Sequence, residues 1–174
     1  MSDEFNSKEI EAELIALRDS LKTVHIATQN PDGMPQASYA PYLWFEQSCY
    51  LYLSELAKHT INLSLNPNIS LLFIESEAGS RNLFARRRIL LQGEVLRIDR
   101  ESQLFEKIMS RFKQRFGDFI DVIEPLQDFH LFQVNPASGR FIRGFAQAFE
   151  LCGEDLSKIR PVKPDAELKF IRTK

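Results

Sequence analysis

Apolar residues recur at helical spacing near the start of the chain. They stand three or four positions apart, which predicts an amphipathic helix with one apolar stripe. Asn6 precedes this stripe, and Glu9 follows Asn6 by three positions, a spacing typical of a helix N-cap. The members of the stripe are Ile10, Leu14, Leu17 and Leu21.

From residue 23 the pattern becomes that of β-strands. Runs rich in β-branched and aromatic residues are separated by turn residues, and several runs alternate between apolar and polar positions. The sequence Asn-Pro-Asp-Gly at 30–33 predicts a hairpin turn, and Gly93 predicts a β-bulge inside a long strand. Strands are predicted over 23–28, 35–45, 48–54, 69–75, 87–98, 129–134 and 140–151.

Helices are predicted over 55–65, 100–116 and 119–126, in the gaps between the strands. The polar segment 135–139 predicts a loop between the two closing strands. Because the strands form meanders and no helix alternates regularly with them, the fold class is α+β with an antiparallel barrel. Residues 1–152 are assigned to this domain, and the polar residues 153–174 to a C-terminal tail or arm.

Composition narrows the classes of function. The chain has 174 residues, of which 44% are apolar, and this is enough for one globular domain with its own core. Lys and Arg number 22 against 24 Asp and Glu, a balance that argues against a dedicated nucleic-acid binder. Any anion-binding site must therefore be local. With only 7 glycines, Gly-rich phosphate loops are also disfavoured.

Targeting and metal-binding signals are absent from the sequence. The N-terminus is acidic, and no uncharged stretch reaches the length of a membrane span, so we expect a cytoplasmic protein without a membrane partner. Cys49 and Cys152 are interpreted as buried free thiols. His25 and His130 lie in apolar strand runs and are interpreted as core or cross-strand histidines. No cluster has metal-ligand spacing, and we expect no metal site.

Two segments are candidates for binding an anion. Arg86 and Arg88 are expected to point to one side of a strand and Arg87 to the other, so that two guanidiniums face a phosphate or carboxylate. The alternative is a solvated cluster paired with Glu75 or Glu77.

The second segment is 54–60, where a strand is expected to lead directly into a helix N-terminus. Free backbone N–H groups there favour anions, and polar side chains of the segment add donors. The alternative is an ordinary helix cap with a surface lysine. Together, the two segments and the nearby aromatic residues fit a ligand with an aromatic body and acidic ends. Flavin mononucleotide (FMN) and haem both meet that description.

An ordered series of motifs over about residues 20–156 resembles the pyridoxamine 5'-phosphate oxidase-like split barrels, most closely their HugZ/HutZ-type haem-utilisation branch. The resemblance implies a split β-barrel that forms homodimers with cofactor sites at the subunit interface. The motifs are Ala37–Pro41, Ala57–Leu63, Leu83–Arg88, Arg115–Gly117, Gln127–Phe129 and Gly139–Phe145.

The resemblance also assigns residues. His59 and Arg88 match positions that line the ligand site, and Asp128 matches an aspartate that supports a haem-ligating histidine. That histidine lies in the C-terminal arm of haem-degrading members, and its place here falls on Ala166. No histidine follows His130 in this chain.

Three functions follow as hypotheses. The first is an FMN-binding protein, an expected oxidoreductase, whose phosphate is held by Lys58, Thr60 and Arg88 with the isoalloxazine ring against 50–53. The second is a haem-binding or haem-degrading protein in which another residue, such as His59 or a side chain of the other subunit, ligates the iron. The third is a module that binds either cofactor without turnover. No catalytic residue is assigned. The side chains expected to bind the cofactor are Ser38, Tyr52, Ser54, Lys58, His59, Thr60, Arg86, Arg88, Gln92 and Asp128.

Overall fold

The structure is a computed structural model that describes residues 6–153 and 155–162. The helices are α1 (Ser7–Ser20), α2 (Lys58–Leu65), α3 (Gln103–Phe116) and α4 (Phe119–Ile123). The strands are β1 (Thr23–Gln29), β2 (Pro35–Phe45), β3 (Ser48–Ser54), β4 (Asn68–Ile74), β5 (Arg88–Ile98), β6 (Phe129–Gly144), β7 (Gln147–Cys152) and β8 (Lys158–Pro161). Short 3₁₀ turns occupy Glu77–Gly79 and Leu83–Ala85.

Six antiparallel strands close into a barrel, which confirms the predicted α+β split-barrel class with flanking helices. The strand order is β3-β2-β1-β4-β5-β6, and pairing of β3 with β6 closes the ring. Strand β6 has 16 residues. Its first part pairs with β3 and its second part with β7, so β7 and β8 extend the sheet beyond the ring.

The predicted loop at 135–139 is wrong, because these residues continue β6 through a bulge. Gln92 pairs with Ser138 and Gly93 with Pro136, which leaves Ala137 as the extra residue. Gly93 is required there, since a Cβ on it would lie 2.1 Å from the Asn135 carbonyl oxygen. The chain turns only after Gly144, where Ala146 has a φ of 57°. The bulge at Gly93 is confirmed.

The protein has two hydrophobic cores, and each of them packs a helix against the barrel. The first fills the barrel interior and includes Ile10 and Leu17 of α1. The second lies between the barrel and α3, whose apolar face contains Ile108 and Phe112. The Asn6 cap of α1 is confirmed, because its side chain accepts a hydrogen bond from the Glu9 N–H.

The predicted single strand over 140–151 is wrong, because the turn after Gly144 divides it between the end of β6 and β7. The remaining boundaries differ from the predictions by up to three residues. Helix α2 begins at Lys58, because residues 55–57 form a turn instead of a helical start. Cys49 and Cys152 are free thiols, the first buried and the second half-buried. Within the described part of 153–174, β8 pairs with β7. No helix among the described residues is long and apolar enough to span a membrane.

Candidate functional site

The outward side of the sheet formed by β1, β4, β5 and β6 is covered by α3 at one end, where Ile98 and Leu131 belong to the second core. The rest of this side is not covered by any of the described helices, and we call it the outer face. Side chains alternate along each strand, and directly paired residues share a side. Val24, Ile26 and Leu71 point into the barrel core, so their neighbours in sequence point outward. The outer face consists of His25, Ala27, Tyr39, Ser70, Leu72, Ile74, Arg88, Leu90, Gln92, Ser138, Arg140 and Ile142.

The outer face combines apolar side chains with two arginines. Leu72 and Leu90 are paired across β4 and β5 and are only half-buried. Arg88 Nη1 donates to the Arg86 carbonyl oxygen at 2.9 Å, and no carboxylate among the described residues pairs with Arg88. Arg140 lies 3.6 Å from a carboxylate oxygen of Glu150. The face therefore offers a cation beside an apolar strip.

A shallow depression of about 800 Å³ lies on the outer face near the bulge. Its floor contains small side chains, among them Ala27, Ser70 and Ser138. Gln92 is exposed and also lines the depression, so its amide is accessible from solvent. The predicted contact residues Arg88 and Gln92 thus share one open surface.

The expected pairing of Arg86 with Arg88 on one strand face is wrong. Arg86 precedes β5, and its guanidinium donates to the Glu75 carbonyl oxygen. Arg87 donates from its backbone N–H and its Nε to the Glu75 carboxylate, each at 2.8 Å. Burial alone would raise the pKa of Glu75, but the hydrogen bonds and charge of Arg87 lower it. The alternative interpretation, pairing with Glu75 and Glu77, describes Arg86 and Arg87.

The turn before α2 is held by hydrogen bonds of its own residues. Ser54 Oγ donates to Asp128 Oδ2 at 2.8 Å and accepts from the Leu56 N–H. Thr60 is 1% exposed, and its hydroxyl donates to the Ser54 carbonyl oxygen at 2.6 Å. Lys58 is exposed at the first position of the helix. Of the predicted phosphate ligands in this segment, Lys58 alone extends freely to solvent.

Two hydrogen-bonded groups of polar side chains join α2 to β1 and β2, and together we call them the α2 cluster. Its members are Thr28, Gln36, Ser38, His59 and Asn62. Ser38 Oγ and His59 Nδ1 are 2.7 Å apart, and Asn62 Nδ2 donates to Thr28 Oγ1 and Gln36 Oε1. Burial lowers the pKa of His59 below its ordinary value, so the neutral imidazole is favoured.

Tyr52 belongs to the second core instead of a ligand surface. Its ring packs near Phe105, Phe112 and Phe129, and its hydroxyl contacts the Glu124 carbonyl oxygen at 3.2 Å. Strand β3 pairs with β2 and with β6, and nearly all of its side chains are buried. The isoalloxazine ring predicted against 50–53 therefore has no open backbone to contact.

His25 was interpreted as a core or cross-strand histidine, and the structure places it on a strand but outside the core. It is exposed on the outer face, opposite Tyr39 on β2 and Leu72 on β4. The signal was present in the sequence, because Val24 and Ile26 flank it and alternation puts His25 on the other side. His130 is buried instead, with Nε2 at 2.5 Å from Glu55 Oε1.

The structure brings the predicted site residues together in three places. Arg88 and Gln92 share the outer face, Ser38 and His59 meet in the α2 cluster, and Ser54 meets Asp128. Ala166 lies outside the described residues. Within 6–153 and 155–162, no three His, Cys, Asp or Glu side chains are grouped to hold a metal ion.

Comparison with known proteins places the chain in a family. The pyridoxamine 5'-phosphate oxidase family profile matches residues 10–143. The chain is 36% identical over 147 residues to the protein named heme oxygenase HutZ of Vibrio cholerae, covering 84% of each.

Solved structures agree with this assignment. The crystal structure of HutZ, there called a heme storage protein, gives a TM-score of 0.70 at 35% identity, over 72% of this chain and 89% of HutZ. Campylobacter jejuni ChuZ gives 0.83 at 30% identity, over 92% of this chain and 65% of ChuZ. The chain belongs to the pyridoxamine 5'-phosphate oxidase family of split barrels, near its HutZ branch.

Proposed function

We propose that this protein binds haem on the outer face of its barrel. The observation that carries the proposal is the apolar strip of Leu72 and Leu90 with Arg88 beside it, in a chain similar to HutZ. HutZ is called a heme oxygenase in one description and a heme storage protein in another. Haem therefore takes precedence over FMN, which the sequence alone favoured.

The residues of the outer face fit the chemistry of haem. A porphyrin needs a broad apolar surface, and its propionates need cations or hydrogen-bond donors. Leu72 and Leu90 supply apolar surface as a directly paired set, and Ile142, the pairing partner of Arg88, adds to it diagonally from Leu90. Arg88 is free of carboxylate partners among the described residues, so its guanidinium can hold a propionate in a bidentate pair.

Arg140 and Gln92 are the secondary contacts in this proposal. Arg140 forms an ion pair with Glu150, and this pairing weakens the attraction of Arg140 for a second carboxylate. Gln92 adds a neutral donor on the same strand as Arg88. When bound, haem iron supplies the redox and oxygen chemistry, while the chain provides orientation and electrostatics.

FMN is the second candidate. One phosphate needs only one well-placed arginine, and Arg88 with Gln92 meets that need as well as it meets a propionate. The family profile that matches the chain is that of pyridoxamine 5'-phosphate oxidase. Of the contacts predicted in α2, the exposed Lys58 stays a predicted cofactor contact to be tested with either ligand, whereas the Thr60 hydroxyl and His59 Nδ1 are engaged within the fold.

We also propose that two copies of the chain pair through the outer face. Leu72, Ile74, Leu90 and Ile142 are half-exposed apolar side chains on one uncovered surface, and such patches mark interaction sites. A ligand bound there would lie between subunits, as the family resemblance implies. Leu90→Glu is expected to reduce the mass measured by light scattering to that of one chain.

The cytoplasmic location stays a prediction.

The test of the cofactor is titration of the purified protein with hemin and, separately, with FMN. Haem binding predicts a Soret band that saturates at a fixed ratio of hemin to chain, without quenching of added FMN fluorescence. Quenching of FMN with no saturable Soret change would contradict the proposal and favour FMN.

Turnover distinguishes an enzyme from a carrier. The haem-loaded protein is mixed with ascorbate in air, and its absorption is followed with time. Conversion to a biliverdin-like spectrum supports haem oxygenase activity, whereas an unchanged haem spectrum supports the binding module.

A further inference from the structure

We infer that His25 supplies the nitrogen ligand to haem iron in this chain, an inference that rests on the proposed haem-binding function. Haem held only by apolar surface and propionate contacts lacks an iron ligand from the protein, and imidazole is a common one. The sequence contains three histidines, so each can be evaluated from its surroundings.

His25 is the histidine whose ring is open to a ligand. It is exposed on the outer face, and none of the hydrogen bonds or ion pairs of the described residues involves it. Its partners across the ladders are Tyr39 and Leu72. A tyrosine oxygen can also ligate haem iron, but it does not give the nitrogen-ligated signature of an imidazole. Both ring nitrogens are therefore available to a ligand.

The other two histidines already have polar partners inside the fold. His59 is 8% exposed, and its Nδ1 lies 2.7 Å from Ser38 Oγ. His130 is also 8% exposed, and its Nε2 lies against Glu55 Oε1. Ligation by either would first require breaking such a contact and opening a packed region.

The position of His25 suits a flat ligand lying over the sheet. Side chains stand roughly perpendicular to a sheet, so the imidazole projects away from it. Ala27 and Ser70, next to His25 on the outer face, are small and leave room around the ring. Tyr39 is 66% exposed and adds an aromatic ring at the edge of this space.

Arg88 lies within reach of the same ligand. His25 pairs with Leu72 and Leu72 with Leu90, so β1 and β5 are two ladder steps apart, and Arg88 is two residues from Leu90. Strand spacing makes this about 10 Å across the sheet and about 7 Å along it, or roughly 12 Å between Cα atoms. One planar ligand can therefore contact both side chains, the imidazole near its centre and the guanidinium at its edge.

The test compares His25→Ala, His59→Ala and His130→Ala with the unmodified protein, each saturated with hemin. Visible absorption and electron paramagnetic resonance report whether a nitrogen ligates the iron, independently of any activity. We expect the nitrogen-ligated signature in the unmodified protein and in the His59 and His130 variants. His25→Ala is expected to lose it and to bind hemin roughly tenfold more weakly.

His25→Gly with added imidazole provides a second arm, and restoration of the signature there supports the proposal. Because His25 is exposed, its variants are expected to fold normally, and circular dichroism checks this. If His59→Ala loses the signature while His25→Ala keeps it, the inference is overturned and haem binding stands. If the unmodified protein gives no saturable Soret band, the proposed function itself fails.

Discussion

The outer face and the α2 cluster contain similar residue types but use them differently. In the α2 cluster, polar atoms of Ser38, His59 and Asn62 form hydrogen bonds with one another or with side chains of neighbouring strands. On the outer face, His25 and Gln92 are exposed with their polar atoms open to solvent. Polar residues therefore identify a binding surface only when the fold leaves their hydrogen-bonding groups free.

The largest expected difference between the two regions is in how much a substitution lowers the free energy of unfolding. Asn62 is 3% exposed, and Asn62→Leu leaves Thr28 Oγ1 and Gln36 Oε1 without their shared donor. Unpaired buried groups cost about 1–3 kcal/mol, so we expect a loss of about 2 kcal/mol in urea unfolding. The matched change Gln92→Leu on the outer face is expected to stay within about 0.5 kcal/mol. Equal losses would show that the two regions do not differ as described.

Hemin affinity is expected to respond to changes on the outer face and not to changes in the α2 cluster. Arg88→Ala removes the outer-face guanidinium, and the loss of one charge-assisted hydrogen-bonded pair predicts roughly tenfold weaker hemin binding. Arg97→Ala is the control, because Arg97 is an exposed arginine of the same strand that points to its other side. Hemin titration followed at the Soret band measures both. Equal weakening by the two variants would indicate general charge attraction instead of a site.

A smaller effect is expected at the start of α2. Thr60→Val keeps the shape of the side chain but removes its hydrogen bond to the Ser54 carbonyl oxygen. We expect a loss of about 1 kcal/mol of unfolding free energy, with hemin affinity unchanged. Ser138→Ala on the outer face, where the hydroxyl is exposed, serves as the matched control and should have almost no effect. A large loss of hemin affinity in Thr60→Val would restore Thr60 as a cofactor ligand.

The smallest effect is a slope in the pH dependence of stability. Burial lowers the pKa of His59 from its ordinary value of about 6.5, so the folded chain resists a proton that the unfolded chain accepts. The free energy of unfolding should therefore fall as the pH drops below about 6.5, until the folded-state pKa is reached. His59→Gln should remove this part of the slope in urea unfolding across pH 5–7. An unchanged slope would mean that His59 is as readily protonated in the folded chain as in the unfolded one.

Much of the fold could be predicted from the sequence, because strand periodicity and turn residues are local signals. The bounds of β2 and β3 follow directly from the alternation of residues 35–45 and 48–54. The continuity of β6 could not be predicted, since Pro136 and Gly139 have the composition of a loop. A bulge opposite Gly93 accommodates the extra residue there.

The candidate site was predicted less completely, because it depends on which hydrogen bonds the fold closes. Arg88 and Gln92 were predicted to bind the cofactor, and this stays a prediction for two residues that share the outer face. Arg86, in contrast, is bound to the Glu75 carbonyl oxygen across a turn. Tyr52 was expected at the cofactor, and its burial against α3 arises from a helix far along the chain. His25 was interpreted as a core or cross-strand histidine because it lies in an apolar run, and its exposure on the outward side of β1 was not expected.

Binding of haem to the outer face is tested most directly by nuclear magnetic resonance spectra of the protein recorded with and without hemin. Ferric haem is paramagnetic and broadens the resonances of nearby nuclei. Binding on the outer face predicts the strongest broadening at the backbone amides of His25, Leu72 and Leu90, with weaker effects at Asn62 in the α2 cluster. Broadening centred on α2, with sharp signals from His25 and Leu90, would contradict the account.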